Sequence, residues 1–151
     1  MFSSEPISVL RRSDLLGLVV PSLAESLHFW AAALGFTLTR QGKPSSEELL
    51  SSAQATAIAE LEANNYRVLL IEQPKSAFQL PEPDHAAPIS LLFQVNDLEA
   101  RLGHVRQSGF EASPPRTITQ GPREGWQVAT VKGPNRVVVE LMQPRQADQR
   151  P

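Results

Sequence analysis

The chain has 151 residues, and its 14 Lys and Arg against 16 Asp and Glu give a formal net charge of −2 at neutral pH. Mixed, nearly balanced charges argue against a nucleic-acid surface or a membrane-surface patch. The absence of cysteine excludes disulfides, thiolate metal sites and a thiol nucleophile. No apolar run approaches the ~20 residues that span a bilayer, and Met1 to Pro6 lacks the features of a secretion signal. We therefore expect a single-domain cytoplasmic protein that binds neither nucleic acid nor a membrane.

The sequence carries one pattern twice. Val20 closes a short apolar run and precedes an amphipathic stretch that ends at Gly35-Phe36. Val95 begins the same pattern about half a chain length later, and this copy ends at Gly109-Phe110. A repeat count of two indicates paired modules around a shared cavity rather than an open solenoid. The functional site is therefore expected where the modules meet.

The first module is predicted to begin with a strand and a helix. Leu15 to Val20 is a short apolar run bounded by turn signals, which is typical of a buried strand. Ser22 and Glu25 form a capping-box pattern, and the apolar face that follows places Trp30 in the core. Gly35 is expected to end this helix. Phe36 to Arg40 then alternates and predicts a second strand.

A hairpin is predicted to complete the first module. Residues 47–62 are rich in Ala, Leu and Glu, which favours helix by intrinsic propensity. However, Thr56 to Glu62 and Tyr66 to Glu72 flank Asn64-Asn65, and asparagine tolerates the positive φ of a tight turn. We therefore predict two strands there. A helical turn over residues 45–52 is compatible with the sequence, which does not decide it.

The second module is predicted to repeat this order after a linker. Four prolines within residues 74–88 indicate an extended connection. This divides the chain into an extension (1–14), a first module (15–73), the linker (74–88), a second module (89–143) and a flexible tail (144–151). Within the second module we expect a strand over 89–95, a helix capped by Asp97, a strand from Phe110, a loop over 114–125, and a hairpin of 126–131 with 137–142.

Three sequence motifs follow one another along the modules. Val20 to Phe36 reads V-x-S-L-x-x-S-L-x-F-W-x-x-x-L-G-F, Val95-x-Asp97-Leu98 repeats its opening, and Gly133 to Leu141 reads G-P-N-R-V-V-V-E-L. They resemble the V-x-D-L-x-x-S-x-x-F-Y-x-x-x-L-G-F and D-P-D-G-N-x-x-E-L patterns of the vicinal oxygen chelate superfamily, which includes glyoxalase I, extradiol dioxygenases and bleomycin-resistance proteins. The resemblance implies an α+β fold in which two βαβββ modules form a curled mixed sheet around a cavity.

The resemblance also indicates where a metal would be held. Metal-using members place one ligand on the first and last strand of each module, which here correspond to Leu15, Leu70, Ser90 and Glu140. Only Glu140 is a good donor, with Glu72 as a second carboxylate on the same strand as Leu70. A divalent transition metal needs at least three imidazole or carboxylate donors. We therefore expect no metal site and no cofactor.

Alternation with a period of two predicts which side chains face the cavity. In the first module they are Leu15, Gly17, Val19, Val68, Leu70 and Glu72. In the second they are Ser90, Leu92, Gln94, Trp126, Val128, Thr130, Val138, Glu140 and Met142. A concave, mostly apolar surface with a few polar groups is typical of a small-molecule site, although leucine and valine side chains could instead fill it as core.

From these inward faces we predict the residues that bind a ligand. They are Trp126, Glu140, Leu15, Leu70, Glu72, Ser90, Leu92, Val128 and Arg123. Arg123, or Arg116 of the same loop, is expected to meet an anionic group from a lid. His28 and His104 lie off the apolar helix faces and are predicted to be solvated.

Glu140 leaves the function open between alternatives. Buried without a partner, it would be a catalytic acid or base; paired with an arginine or a ligand, it would be a polar hook. The first hypothesis is a metal-free protein, similar to the glyoxalase and bleomycin-resistance branch, that binds or sequesters an apolar or aromatic small molecule. The alternative is a lyase, isomerase or dioxygenase, metal-dependent with displaced ligands or metal-independent through Glu140. Because family members commonly pair, a homodimer is expected.

Overall fold

The computed structural model describes residues 15–44, 54–64, 66–74 and 90–146. The extension over residues 1–14 and the helical turn over 45–52 lie outside the described residues. So do nearly all of the proline-rich linker and most of the tail.

The first module has the predicted order of elements, with one change in the helix. Its elements are β1 (Leu15–Val20), α1 (Leu23–Leu27), a π-helical segment (His28–Ala33), β2 (Thr37–Gly42), β3 (Ala57–Ala63) and β4 (Tyr66–Glu72). The Ser22 hydroxyl accepts a hydrogen bond from the Glu25 amide at 3.3 Å, as the capping pattern predicts. Gly35 ends the helix with a φ of +83°, which only glycine adopts freely.

The π-helical segment was not predicted from the sequence. Within it the Leu34 amide donates to the Phe29 carbonyl, five residues earlier, at 3.0 Å. Phe29 and Trp30 are both fully buried, and their rings meet edge to face with centroids 5.6 Å apart. Trp30 is therefore a core residue, as predicted.

The second module repeats the first with a shorter and interrupted second strand. Its elements are β5 (Ser90–Gln94), α2 (Leu98–Gln107), β6 (Glu111–Ala112), β7 (Arg116–Thr117), β8 (Gln127–Lys132), a 3-10 turn (Pro134–Arg136) and β9 (Val138–Gln143). Asp97 caps α2, because its carboxylate accepts from the Ala100 amide at 3.1 Å. Pro114 and Pro115 lie between β6 and β7, and their lack of an N–H explains the interruption.

The described strands form two mixed sheets, and no strand pairing joins them. Sheet one has the order β1-β4-β3-β2, with β1 parallel to β4. Sheet two has the order β5-β9-β8-β6, with β5 parallel to β9 and β7 also paired with β8. The α+β class and the duplicated order are confirmed. Within the described chain the sheets remain open and do not close into a barrel.

One hydrophobic core unites the modules. It contains Trp30 and Leu102 from the helices, Leu70 from sheet one and Leu141 from sheet two. We call the side of each sheet that packs on the helices its helix face, and the opposite side its far face. None of the helices in the described part of the chain is long and apolar enough to cross a membrane.

The faces of sheet one differ from the prediction. Leu18 pairs with Leu70 across the sheet, and both lie in the core, whereas Gly17 pairs with Leu69 on the far face. Paired residues share a face, and a shift of one residue exchanges the faces. The prediction placed Leu15, Gly17 and Val19 of β1 and Val68, Leu70 and Glu72 of β4 on the inward side. It was wrong for the three β4 residues, which lie on the helix face.

The far face of sheet two agrees with the prediction. Leu92 pairs with Glu140, which pairs with Thr130. The neighbouring row, one alternation further along, contains Gln94, Met142 and Val128. Both rows lie opposite the core residues of the same strands, so the period of two assigned these side chains correctly.

His28 links the two modules at the helix layer. Its Nε2 lies 2.8 Å from the Ser108 carbonyl oxygen, which follows the end of α2. Its ring also lies 5.5 Å from the ring of Phe110. The side chain is exposed, as predicted, but it contributes a contact between modules.

Candidate functional site

A groove of about 1040 Å³ lies where the two modules meet. One wall comes from the start of β2 and the β3–β4 hairpin, and the other from β5 and the first turns of α2. Its lining includes Phe36, Glu62, Tyr66, Leu92, Phe93 and Arg123. The groove occupies the junction at which the sequence repeat predicts a functional site.

A series of aromatic rings crosses the junction and ends at the groove. From the buried Trp30, successive centroids are 5.1 Å to Phe36, 5.8 Å to Phe93 and 4.9 Å to Tyr66, with steeply inclined or edge-to-face planes. We call these four residues the aromatic series. Such pairs contribute about 0.5–1.5 kcal/mol beyond their burial. The series forms an ordered apolar wall, and Tyr66 at its end is 56% exposed.

The β3–β4 hairpin places Tyr66 in the groove. Ala63 pairs with Tyr66, so only two residues separate the strands. Asn64 has a φ of 54°, which a tight hairpin turn requires and asparagine tolerates. The predicted asparagine-rich turn therefore positions an aromatic side chain that the sequence analysis did not select.

Two arginines line the groove on the side of the second module. The Arg101 guanidinium donates to the Ala33 carbonyl at 3.3 Å and lies against Gly35, where a Cβ would come within 2.9 Å of Nη1. The Arg123 guanidinium lies 5.7 Å from the centre of the Trp126 ring, in cation–π range. Each is held by a neutral partner, a carbonyl or a ring. His104 of α2 lines the same groove.

Among the described residues, two carboxylates line the groove, one from each module. Asp97 is engaged as the cap of α2, and the Leu98 amide donates to the Gln143 side-chain oxygen at 2.7 Å. The start of α2 is therefore satisfied by the chain itself. Glu62 lies on the opposite wall, in β3, where it pairs with Thr37.

The predicted ligand-binding residues fall into separate locations. Leu92 and Arg123 line the groove, and Trp126 supports Arg123. Ser90, Val128 and Glu140 lie on the far face of sheet two, and Leu15 on that of sheet one. Leu70 and Glu72 lie on the helix face, and Arg116 is in β7 outside the groove lining. The residues that the sequence analysis missed are Phe36, Tyr66, Phe93, Arg101 and His104.

Glu140 is half-buried on β9 between Leu92 and Thr130. Within the described ranges, no side chain or amide forms a hydrogen bond or ion pair with its carboxylate. The arginine partner considered from the sequence is therefore not found among those residues. Leu92, which pairs with Glu140 across the sheet, lines the groove, so this carboxylate lies next to a residue of the groove lining.

The donor set does not fit a divalent metal. Gly17 and Leu92 hold equivalent positions, each three residues before the repeated valine. Gly17 pairs with Leu69 and Leu92 pairs with Glu140, so Leu69, rather than Leu70, is the first-module equivalent of Glu140. Leu69 and Leu70 are both aliphatic, so neither can coordinate a metal. In residues 15–44, 54–64, 66–74 and 90–146, no three His, Asp or Glu side chains cluster as ligands would.

Glu72 cannot supply the missing carboxylate. Its Oε2 accepts from the Leu23 amide at 2.7 Å, and its Oε1 accepts from the Thr56 hydroxyl at 3.1 Å. These bonds hold it on the helix face, where it caps α1. Its role is structural, and the prediction that it faces the cavity was wrong.

A charged cluster on sheet one was also missed. Glu60 in β3 is only 7% exposed, and it accepts from Arg67 Nη2 at 2.6 Å and Arg40 Nε at 3.4 Å. The three residues come from β3, β4 and β2, so the cluster ties these strands together. Glu60 lies within a mostly apolar stretch of sequence. Its two partners come from other strands, so the local pattern does not indicate these ion pairs.

Paired βαβββ modules around an inter-module groove define a class of α+β proteins. The sequence matches the family model of the Glyoxalase/Bleomycin resistance protein/Dioxygenase superfamily over residues 12–141, and the chain belongs to this superfamily. A search among curated proteins found no match.

Solved structures of the same fold share little sequence with this chain. A glyoxalase family protein from Bacillus cereus superposes with a TM-score of 0.70 at 15% identity, covering 93% of this chain and 99% of that one. A glyoxylase/bleomycin resistance protein/dioxygenase domain from Frankia sp. gives 0.68 at 15% identity, covering 93% and 100%. An antibiotic-binding protein from a Streptomyces species gives 0.63 at 15% identity, also covering 93% and 100%. These likenesses concern the fold.

Proposed function

We propose that this protein binds an apolar or aromatic small molecule in the groove between its modules, without a metal ion. The observation that carries the proposal is the aromatic series, which ends at the exposed Tyr66 in a groove of about 1040 Å³. Ligand pockets measure roughly 300–1,000 Å³ and combine apolar walls with a few polar groups. The groove is at the upper end of this size range, and its lining combines the aromatic series with several polar side chains.

The apolar lining supports binding through ring contacts. Tyr66 and Leu92 are 56% and 48% exposed, although both are large apolar side chains in the lining. A ligand that covers them removes apolar surface from water, which is worth about 25 cal/mol per Å². That one neighbour of the same fold is an antibiotic-binding protein also supports a small organic ligand.

The donor chemistry supports metal-free binding. Two of the four positions that carry ligands in metal-using relatives are the aliphatic Leu15 and Leu69, and a third is the hydroxyl of Ser90. Glu140 is the only carboxylate among these four positions, which together provide too few donors for a divalent transition metal.

We also propose a homodimer. Leu15, Leu16 and Val19 of β1 are 36–44% exposed, and β1 is an edge strand of sheet one. Exposed apolar edge strands favour association with another chain. A second copy covering β1 would bury these side chains. Light scattering on Leu16→Glu checks this: a wild-type dimer should become a monomer, and a monomeric wild type would exclude the proposal.

A second candidate function is acid–base catalysis by Glu140. Its half-buried carboxylate has no partner among the described residues, and its neighbour Leu92 lines the groove. Glu140→Gln distinguishes the two functions once a ligand is known. Binding that persists while turnover of that ligand is lost indicates catalysis, whereas no turnover by the wild type leaves binding alone.

Calorimetric titration of chelator-treated protein with neutral aromatic molecules such as 2-naphthamide tests the binding function. Tyr66→Ala should weaken binding about fivefold, because a stacking or edge contact of this kind is worth about 1 kcal/mol. Leu38→Ala is the matched control, since Leu38 is 42% exposed and outside the groove. Absence of saturable binding by the neutral probe and by its carboxylate analogue 2-naphthoate alike, or binding only after a divalent metal is added, would exclude the proposal.

A further inference from the structure

We infer that the ligand of this groove is an aromatic acid whose anionic group lies beside Arg101, His104 and Arg123. The inference rests on the proposed function, since it assigns a chemical class to the molecule that the groove would bind. It depends on the balance of charges along the lining and on how each charged group is already engaged.

In the described part of the chain, Arg101 and Arg123 are engaged by neutral groups rather than by carboxylates. Arg101 is fixed by the Ala33 carbonyl, and Arg123 by the face of the Trp126 ring, and both partners are neutral. No described carboxylate forms an ion pair with either guanidinium. Each guanidinium has five N–H donors, so most of them remain available to a ligand.

The acidic residues of the lining do not oppose this assignment. The Asp97 carboxylate accepts the Ala100 amide, which commits it to the cap of α2. Glu62 belongs to β3, on the wall that the first module contributes, whereas Arg101 and His104 belong to α2 on the other wall. Among the described residues on the side of the second module, the Arg101 and Arg123 guanidiniums therefore outnumber the single Asp97 carboxylate, so an anion is favoured there.

The apolar part of the ligand is placed by the same geometry. Tyr66 and Phe93 form the aromatic end of the groove, with ring centroids 4.9 Å apart, and Leu92 precedes Phe93 in the lining. A ring system on these residues would direct a carboxylate, sulfonate or phenolate toward the basic side. Arginine pairs with such groups through short, charge-assisted hydrogen bonds.

Calorimetry with two probes of equal shape tests the ligand class. In chelator-treated protein at low salt, 2-naphthoate should bind at least about tenfold more tightly than neutral 2-naphthamide, since a hydrogen bond to a charged group is worth about 1.4 kcal/mol or more. Arg123→Gln should weaken 2-naphthoate about tenfold and change 2-naphthamide less than about twofold. Arg123→Lys should restore part of the difference, because it restores the charge.

Two further variants and one probe make the outcomes distinct. Arg101→Gln should also weaken the acid selectively, and Arg116→Gln, in β7 outside the groove, should change neither probe. If the amide binds as tightly as the acid, or if 2-naphthylmethylamine binds most tightly, the ligand class is wrong while the groove still binds. If no probe binds the wild type, both the ligand class and the proposed function fail.

Discussion

Glu72 and Gln143 perform the same task in the two modules with different chemistry. The Glu72 carboxylate accepts the Leu23 amide at 2.7 Å, and the Gln143 side-chain oxygen accepts the Leu98 amide at 2.7 Å. Each residue ends the last strand of its module and each amide begins the helix of that module. In each module this hydrogen bond joins the end of the last strand to the start of the helix, so the duplication extends to individual hydrogen bonds.

Glu72→Leu should lower the free energy of unfolding by about 1–2 kcal/mol, because it leaves the first amide of α1 without an acceptor. Glu72→Gln should cost less than about 0.5 kcal/mol, since Gln143 shows that an amide oxygen serves in the equivalent position. Urea denaturation measures both. A large loss in Glu72→Gln, or none in Glu72→Leu, would show that the carboxylate has another role.

The duplicated order was predictable, whereas the equivalence of the last strands was not. A Gln-Pro pair lies near the end of both strands, as Gln73-Pro74 and Gln143-Pro144, and suggests an alignment of Leu70 with Glu140. The hydrogen bonds of Glu72 and Gln143 instead align Leu69 with Glu140, one residue away. In a strand, one residue exchanges the two faces, so a small alignment error moved Leu70 and Glu72 to the wrong side.

Gly133→Ala should destabilise the protein by about 1–3 kcal/mol through overpacking. A Cβ at Gly133 would lie 2.7 Å from the ring of Phe29, which is fully buried and cannot retreat. Thermal or urea unfolding measures the loss.

Gly103→Ala is the matched control for this prediction. Gly103 lies inside α2, and a Cβ added there would meet no described atom within 4 Å. The substitution should stabilise the protein by about 0.5–1 kcal/mol, because alanine is the better helix former. A Gly133→Ala variant as stable as Gly103→Ala would contradict the packing of Phe29 against Gly133.

Arg67→Met should destabilise the protein more than Arg40→Met. Glu60 is 7% exposed and lies 2.6 Å from Arg67 but 3.4 Å from Arg40, so removal of Arg67 leaves a buried carboxylate with its weaker partner. We expect a loss of about 1–3 kcal/mol for Arg67→Met. Double replacement with Glu60→Leu should recover part of that loss in urea unfolding, and an additive further loss would contradict the pairing.

His28→Ala should weaken the junction between the modules by about 1 kcal/mol, the net value of one hydrogen bond. His28 lies 2.8 Å from the Ser108 carbonyl and packs against Phe110, both in the second module. Urea unfolding checks the loss, with His104→Ala as a control because His104 is exposed on α2. Equal stability of His28→Ala and wild type would mean that this contact contributes nothing.

Much of the candidate site depends on contacts that no single segment encodes. Periodicity placed Leu92 and Glu140 on one face, because alternation is a local property of a strand. Tyr66 and Phe93 come from different modules, and their contact exists only once the modules pack. The same holds for Arg101, which reaches the Ala33 carbonyl across the junction.

The most direct test of small-molecule binding in the groove is a crystal structure of the protein soaked with 6-bromo-2-naphthoate, with data collected at the bromine absorption edge. We predict an anomalous bromine peak in the groove beside Tyr66 and Leu92, with the carboxylate toward Arg101 and Arg123. A peak remote from Tyr66, Arg101 and Arg123, or no site at ligand concentrations that saturate calorimetry, would contradict it.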